Sequence, residues 1–341
     1  MRNFVINSGK IKSSMKKIII AFIVCLALGV NAYSKVITSF PELVRPYWFR
    51  LDEGYIYISD LYSVLVYDMK TFKRVTKLGR EGEGPEEFKG QPKIMFAKDR
   101  LFLSDPYKIL IYSKEFKLIK EIKLHAFTNR VFPVEDNFVL SGTHSIDKKE
   151  YKIFTLYNSK LEKIKDLVIE PYNEYDGKFF ITPISRSRTW KDNIFIAQPR
   201  KGFYIDVFNK DGTKLYHIEK EVEKVKSEEK HRRFLMEELL HLVGKSRYER
   251  AKNRGAYNRP MMEFLPPINN FWVVENRIYV KTHDITETKE KFIILDLKGN
   301  ILETVFLPRT YWEALTFHNN KFYYLEENED DEVWELHSLD L

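Results

Sequence analysis

From Tyr55 onward the chain alternates apolar and polar residues in short bursts that recur in a fixed order. Tyr55–Asp60, Val64–Asp68 and Phe72–Leu78 are followed forty-five residues later by Arg100–Asp105, Ile109–Ser113 and Phe116–Ile122. Each burst has the length and period of a half-buried strand, with turn residues between. The pattern continues with decay through Asn137–Gly142, Asp192–Ala197, Asn276–Lys281 and Asn320–Leu325, each leading to a second apolar burst. Anchored on Tyr67, Tyr112, Tyr157, Phe208, Leu295 and Leu336, the intervals are 45, 45, 51, 87 and 41 residues. A period of this size marks a repeat architecture. Six copies of a four-stranded unit predict an all-β, six-bladed β-propeller over residues 35–341, with the Lys-rich strand of each copy outermost. The last copy ends after its third strand, so Lys35–Phe40 is expected to supply the fourth and close the ring, leaving no open edge.

The long interval contains an insertion between blades 4 and 5, about residues 219–260. Leu235, Leu239 and Leu242, with Met236, Leu240 and Val243, repeat at helical spacing; Gly244 is a stop signal, and a second helix is expected over Ser246–Arg254. The reading is a helix pair that caps one end of the propeller through this leucine stripe; a lid or docking arm is the functional alternative.

Composition adds an address more than a chemistry. Hydrophobic residues are 44% and charged residues 31% of 341, which is globular rather than disordered. The aromatic content, 25 Phe, 20 Tyr and 5 Trp, suits strands and large packed faces. The net charge of +7 shrinks once the first 34 residues are set aside: they hold Arg2, Lys10, Lys12, Lys16 and Lys17 and no acid, leaving +2 for the remainder. A general nucleic-acid surface is therefore not expected. Lys16 and Lys17 precede an apolar run, Ile18–Val30, of signal-peptide length and too short to span a membrane. Residues 1–34 thus read as a secretion signal, with Met15 as an alternative start and small residues at Val30, Ala32 and Ser34 for cleavage. The mature chain is expected in the periplasm or at the cell surface, without a transmembrane span. Cys25, the single cysteine, reads as discarded with the signal; the alternative is a lipid anchor, although Val24 is a poor residue to precede one.

Between the first two copies, Gly82, Gly84, Pro85, Phe88, Pro92, Asp99 and Asp105 resemble the NHL repeat, which has a Gly-Pro turn followed by Phe, Pro and strands that end in Asp. The chain departs from that pattern at Glu86, where the repeat has glycine, and at the shortened Asp99-Arg100 turn. The resemblance implies membership of the exported six-bladed propellers, NHL-repeat or TolB-like, of Bacteroidetes-type bacteria. Read physically, Gly82, Gly84, Pro85 and Phe88 form a connector between blades, with no strand–loop–helix context for a phosphate loop.

Propellers place sites at one mouth of the central channel. Asp60 and Asp105 end corresponding strands, and the aligned positions are Gly142, Gln198, Thr282 and Glu326. These aspartates are candidate ligand-binding residues, with turn capping as the structural alternative. Arg186, Arg188, Trp190 and Lys191 precede the inner strand expected in the fourth copy, and Arg200 and Lys201 follow it. They read as a basic-aromatic loop at the mouth, suited to an acidic glycan or a peptide carboxylate. No cofactor is expected and no metal residues are assigned; calcium remains an option for the carboxylates and for the acidic run Glu326–Glu332. Two functions follow. The first is a non-enzymatic exported propeller that binds a protein, glycan or small ligand at its mouth. The alternative is a metal-dependent, lactonase-like hydrolase, which needs a converged set of channel carboxylates.

Overall fold

The structure, a computed structural model, describes residues 34–52, 54–124, 128–172, 185–253, 255, 260–310 and 313–341. The expected secretion signal up to residue 33, with Met15 and Cys25, lies outside the described residues. Six four-stranded antiparallel sheets form the blades. Blade 1 holds β2 (Pro46–Asp52), β3 (Tyr55–Asp60), β4 (Ser63–Asp68) and β5 (Arg74–Leu78), after β1 (Lys35–Phe40). A small parallel pair, β6 (Arg80–Glu81) and β7 (Glu87–Phe88), leads to blade 2, made of β8 (Lys93–Ala97), β9 (Arg100–Ser104), β10 (Lys108–Tyr112) and β11 (Leu118–Lys123). Blade 3 is β12 (Thr128–Val134), β13 (Asn137–Ile146), β14 (Lys149–Tyr157) and β15 (Lys163–Pro171); blade 4 is β16 (Arg186–Trp190), β17 (Asn193–Ala197), β18 (Phe203–Asn209) and β19 (Lys214–Lys220). Blade 5 follows the insertion as β20 (Asn270–Val274), β21 (Arg277–Ile285), β22 (Lys289–Asp296) and β23 (Ile301–Pro308). Blade 6 is β24 (Leu315–His318), β25 (Lys321–Asn328), β26 (Val333–Asp340) and, returning from the start of the chain, β1. The pairing runs from Lys35 opposite Ser338 to Phe40 opposite Trp334, so the expected closure is what the chain adopts.

The core is divided among the interfaces between blades. Phe40, Phe49, Ile58 and Trp334 fill the junction of blades 6 and 1, and Trp48, Phe88, Ile94 and Leu103 fill that of blades 1 and 2. Similar clusters lie between every other neighbouring pair. Each blade therefore depends on both neighbours for burial, and the closed ring is the stable unit.

The connector of β6 and β7 shows what its residues are for. Phe88 is fully buried beneath it, and a Cβ on Gly79 would stand 2.6 Å from the Phe88 ring. The backbone N–H of Gly84 donates to Glu87 Oε2 at 2.7 Å, and the Lys108 ammonium donates to the Gly84 carbonyl at 2.7 Å. Glu86, where the NHL pattern has glycine, adopts φ +54°, the left-handed region glycine enters most easily.

The insertion forms α1 (Glu229–Val243) and α2 (Lys245–Asn253), with Gly244 at φ +74° ending the first. Its docked face differs from the leucine stripe expected. His231, Phe234 and Glu238, at helical spacing, are buried, while Leu235 and Leu239 are half-buried; the Leu242 side chain lies outside the described residues. His231 Nε2 lies 3.1 Å from the His283 carbonyl of β21, and Arg233 bonds both oxygens of Glu287 at 2.7 and 2.8 Å. Arg309 covers the Phe234 ring at 3.8 Å and pairs with Glu237. Polar groups of blade 5 thus hold the insertion where a leucine stripe was expected to. Among the described residues no helix is long and apolar enough to cross a membrane.

Candidate functional site

The first strand of each sheet is the innermost one, and the registers align these strands around the axis. Trp48 pairs with Ser59, Lys93 with Ser104, Arg130 with Ser141, Arg186 with Ala197 and Asn270 with Lys281. Ala314 bonds Leu325 at the equivalent place in blade 6. Each stands twelve residues before one of Asp60, Asp105, Gly142, Gln198, Thr282 and Glu326. One register level of the innermost strands therefore holds Trp48, Lys93, Arg130, Arg186, Asn270 and Ala314, one from each blade, with Trp48 and Ala314 packed into the interface cores. Two residues further along each strand lies a second level, where Arg50 and Arg188 stand opposite Tyr57 and Phe195.

These levels meet on one carboxylate. Glu313, just before β24, is buried and accepts from Arg50 Nη2 at 3.2 Å, Arg188 Nη2 at 3.0 Å and Asn270 Nδ2 at 3.4 Å, with Arg130 Nη1 at 3.5 Å. Four blades besides its own converge on it. Burial by itself would raise this carboxyl, but the charges of Arg188, Arg130 and Arg50 outweigh it and hold Glu313 at about 2. Burial, reinforced by the other guanidiniums, draws Arg186 down to about 10 and Arg188 to about 9, so both stay charged at neutral pH. Arg188 lies over the rings of Phe132, Phe271 and Trp272 at 5.4–5.9 Å, which offsets part of its desolvation. Burial, with the Arg130 charge next, pulls Lys93 down to about 7. Lys93 and Arg50 share the Trp48 ring at 5.9 and 5.5 Å. Arg50 and Arg130 keep 17% and 20% of their side-chain surface open although protein surrounds them, as groups lining a channel do.

The channel mouth lies at the Arg186 end of β16, and the insertion enters there, because it joins the mouth ends of β19 and β20. Burial raises the Tyr47 phenol well above its usual range, and the charges of Glu313 and of Glu238 on α1 add to the rise. Glu238 also acts on Arg186. The helix therefore reaches the rim electrostatically, with Glu238 4.0 Å from Lys281, whose closer partner is Glu290 at 2.7 Å.

The sequence-predicted residues divide between ends and roles. Arg186 and Arg188 face the channel, but they belong to the innermost strand itself, not to a loop before it, and Arg188 is buried. Trp190 and Lys191 are at the opposite end of that strand: the Trp190 indole donates to Asn276 at 3.2 Å, and Lys191 sits in the following turn at φ +51°. The four are not one cluster. The Asp60 carboxylate accepts from the backbone N–H of Val44 and Arg45, at 3.2 and 2.6 Å. That of Asp105 accepts from Lys89, Tyr107 and Lys108 at 2.8–2.9 Å. Asp105 thereby caps its own turn at Tyr107 and Lys108, and both carboxylates fasten the incoming connector to its blade across fifteen or sixteen residues. Gly82, Gly84, Pro85 and Phe88 lie in the connector described above. Among the described residues no group of three or more His, Cys, Asp or Glu is placed to hold a metal ion. Sequence reasoning missed Tyr47, Arg50, Lys93, Arg130, Asn270 and Glu313; the constant twelve-residue offset is the signal that would have found the ring.

Residues 43–199 match the family profile described as DUF5128, 6-bladed beta-propeller. No curated protein matches the chain. Among solved structures it is similar to BamB from Moraxella catarrhalis, at 9% identity over 84% of this chain and 83% of that one, with a TM-score of 0.35. It is similar also to the AfRom2 CNH domain, at 9% identity over 91% and 99%, TM-score 0.45. A third is the Pyrococcus horikoshii acylaminoacyl peptidase, at 13% identity over 88% of this chain but 45% of the peptidase, TM-score 0.44. The chain thus spans less than half of that enzyme. Likeness at these levels does not extend to a site or an activity.

Proposed function

We propose that this chain is an exported, non-enzymatic propeller that binds an acidic ligand, or an acidic group of a partner, at the mouth of its central channel. The observation that carries the reading is the convergence of Arg50, Lys93, Arg130, Arg186 and Arg188 on a channel where they meet one carboxylate, Glu313. Even with Lys93 neutral, the four guanidiniums outnumber Glu313 by three. In a low-dielectric enclosure such an excess is unfavourable until an anion enters, so it favours binding one. A hydrolytic metal centre would need several oxygen ligands in the channel, and among the described residues Glu313 there is held by guanidiniums instead. The test is equilibrium binding of a short uronic-acid oligosaccharide at low salt, against its neutral counterpart. The acidic sugar should bind, and Arg130→Gln with Arg186→Gln should weaken it tenfold or more in protein that still melts cooperatively. Equal binding of the neutral sugar, or an unchanged affinity in the variant, would overturn the reading.

A further inference from the structure

Blade 6 departs from a pattern that blades 1 and 2 keep. At the mouth end of the second strand, Asp60 and Asp105 are buried and hold the incoming connector by its backbone N–H groups. The aligned residue of blade 6 is Glu326 on β25. Its side chain is 60% exposed, and the charged group nearest to it is His337, at 3.6 Å, whose ring lies closer to Glu335, at 3.2 Å. Glu326 lines a cavity of about 260 Å³ between α1, blade 5 and blade 6. Glu237 of α1, Glu287 of the β21–β22 turn, Arg309 and Thr310 line it too. Two of the three carboxylates already have a cation: Arg309 pairs with Glu237, and Arg233 with Glu287. Glu326 is the third, so these five side chains carry one negative charge in excess. Thr310 is 3% exposed, and its Oγ1 has no hydrogen-bond partner. A buried hydroxyl without a partner is costly, and one in a cavity wall can be met by the occupant.

We propose that this cavity receives one organic cation, a primary ammonium or guanidinium group, with Glu326 as its carboxylate and Thr310 Oγ1 as a further acceptor. Both groups offer N–H donors and no acceptor, which matches a wall of carboxylates and a hydroxyl. A bare metal ion is a poorer match. It needs several oxygens converging at about 2.3–2.6 Å, and among the described residues no three His, Cys, Asp or Glu are placed to hold one. The cavity is also far larger than an ion. The site lies on the mouth side of the ring but is opposite in sign to the channel, and it does not rest on the anion reading above. One of its walls is α1, which gives the insertion a task beyond capping the propeller.

Ligand-observed NMR titration of the purified protein with butylammonium, butylguanidinium and 1-butanol at matched ionic strength tests this. At least one of the cations should bind tenfold or more tighter than the alcohol. Glu326→Gln should weaken that cation fivefold or more. Thr310→Val, which removes the hydroxyl and keeps the shape, should weaken it at least twofold. Glu303→Gln, at an exposed carboxylate of β23 away from the cavity, should leave it unchanged. If the threonine variant fails to fold, the two glutamine variants, both at exposed positions, still decide. Nα-acetyl-lysine amide and Nα-acetyl-arginine amide, each set against its butyl counterpart, separate the two sources. Tighter binding of the amino-acid amide assigns the group to the side chain of a protein partner, and the reverse order to a free amine or guanidine. Alcohol binding as tightly as the cations, Glu326→Gln binding them like wild type, or Glu303→Gln weakening them as much as Glu326→Gln would reject the site. Binding of the uronic-acid sugar through Arg130 and Arg186 stands or falls separately.

Discussion

Glu313 is one carboxylate that ties blade 6 to guanidiniums of blades 1, 3 and 4. Its worth is best judged by what its loss leaves behind. Removing one partner of a buried ion pair strands the other charge, at about 3–5 kcal/mol. Glu313→Gln keeps the shape and strands several, so chemical denaturation should show a loss of that order. The pH dependence has a definite sign. The folded carboxyl titrates at about 2, below its ordinary 4.5. Its stabilisation is therefore fully present above pH 4.5 and is lost as pH falls from there toward 2. The glutamine variant should show a flatter acid limb over that interval. Equal stability of the two proteins at pH 7 would mean that the arginines hold the channel without it.

The α1 helix docks on blade 5 by polar contacts, and the one made through the His231 ring titrates. Burial, with the Lys230 charge next, lowers His231 below its usual 6.5. The neutral ring therefore supports docking above pH 6.5, and that support is lost as pH falls through the lowered value. Amide-exchange protection of Glu229–Val243 should therefore drop between pH 6.5 and 4.5, while the strands of blade 5 keep theirs; protection that held would mean the helix is fixed by Phe234 and the ion pairs alone. The same elements show where the sequence could be read. The two middle strands of each blade are short apolar runs because both faces pack on neighbouring blades, and the outermost carries the exposed Lys-rich residues; those recurring bursts revealed the repeat, the ring closure and the insertion. The innermost strands are short and carry charge inward. Arg186-Ser187-Arg188 reads as a loop because arginine usually seeks water. Glu313 lies in a connector with no repeat counterpart. The leucine stripe of α1 misled for the opposite reason: apolar spacing marked a face, while histidine, phenylalanine and glutamate made the contact.

The channel exists only in the closed ring. Lys93, Arg130 and Arg186 sit on separate blades, Glu313 on another, and β1 must return to blade 6 for them to share an axis. The six interface cores make that geometry stiff, since each blade is buried by its neighbours. The cation cluster is thus a property of the whole molecule: a rigid β-ring gathers guanidiniums that no single blade would hold together, and the insertion at the mouth adds Glu238 at the rim. The proposed function requires this cluster to be an anion site. The most direct measurement is an anomalous difference map from a crystal soaked in sodium selenate, a tetrahedral oxyanion that marks its own position. The strongest peak should lie on the propeller axis, within hydrogen-bond reach of Arg130 and Arg186. Peaks confined to surface lysines, with the channel ring empty, would contradict it.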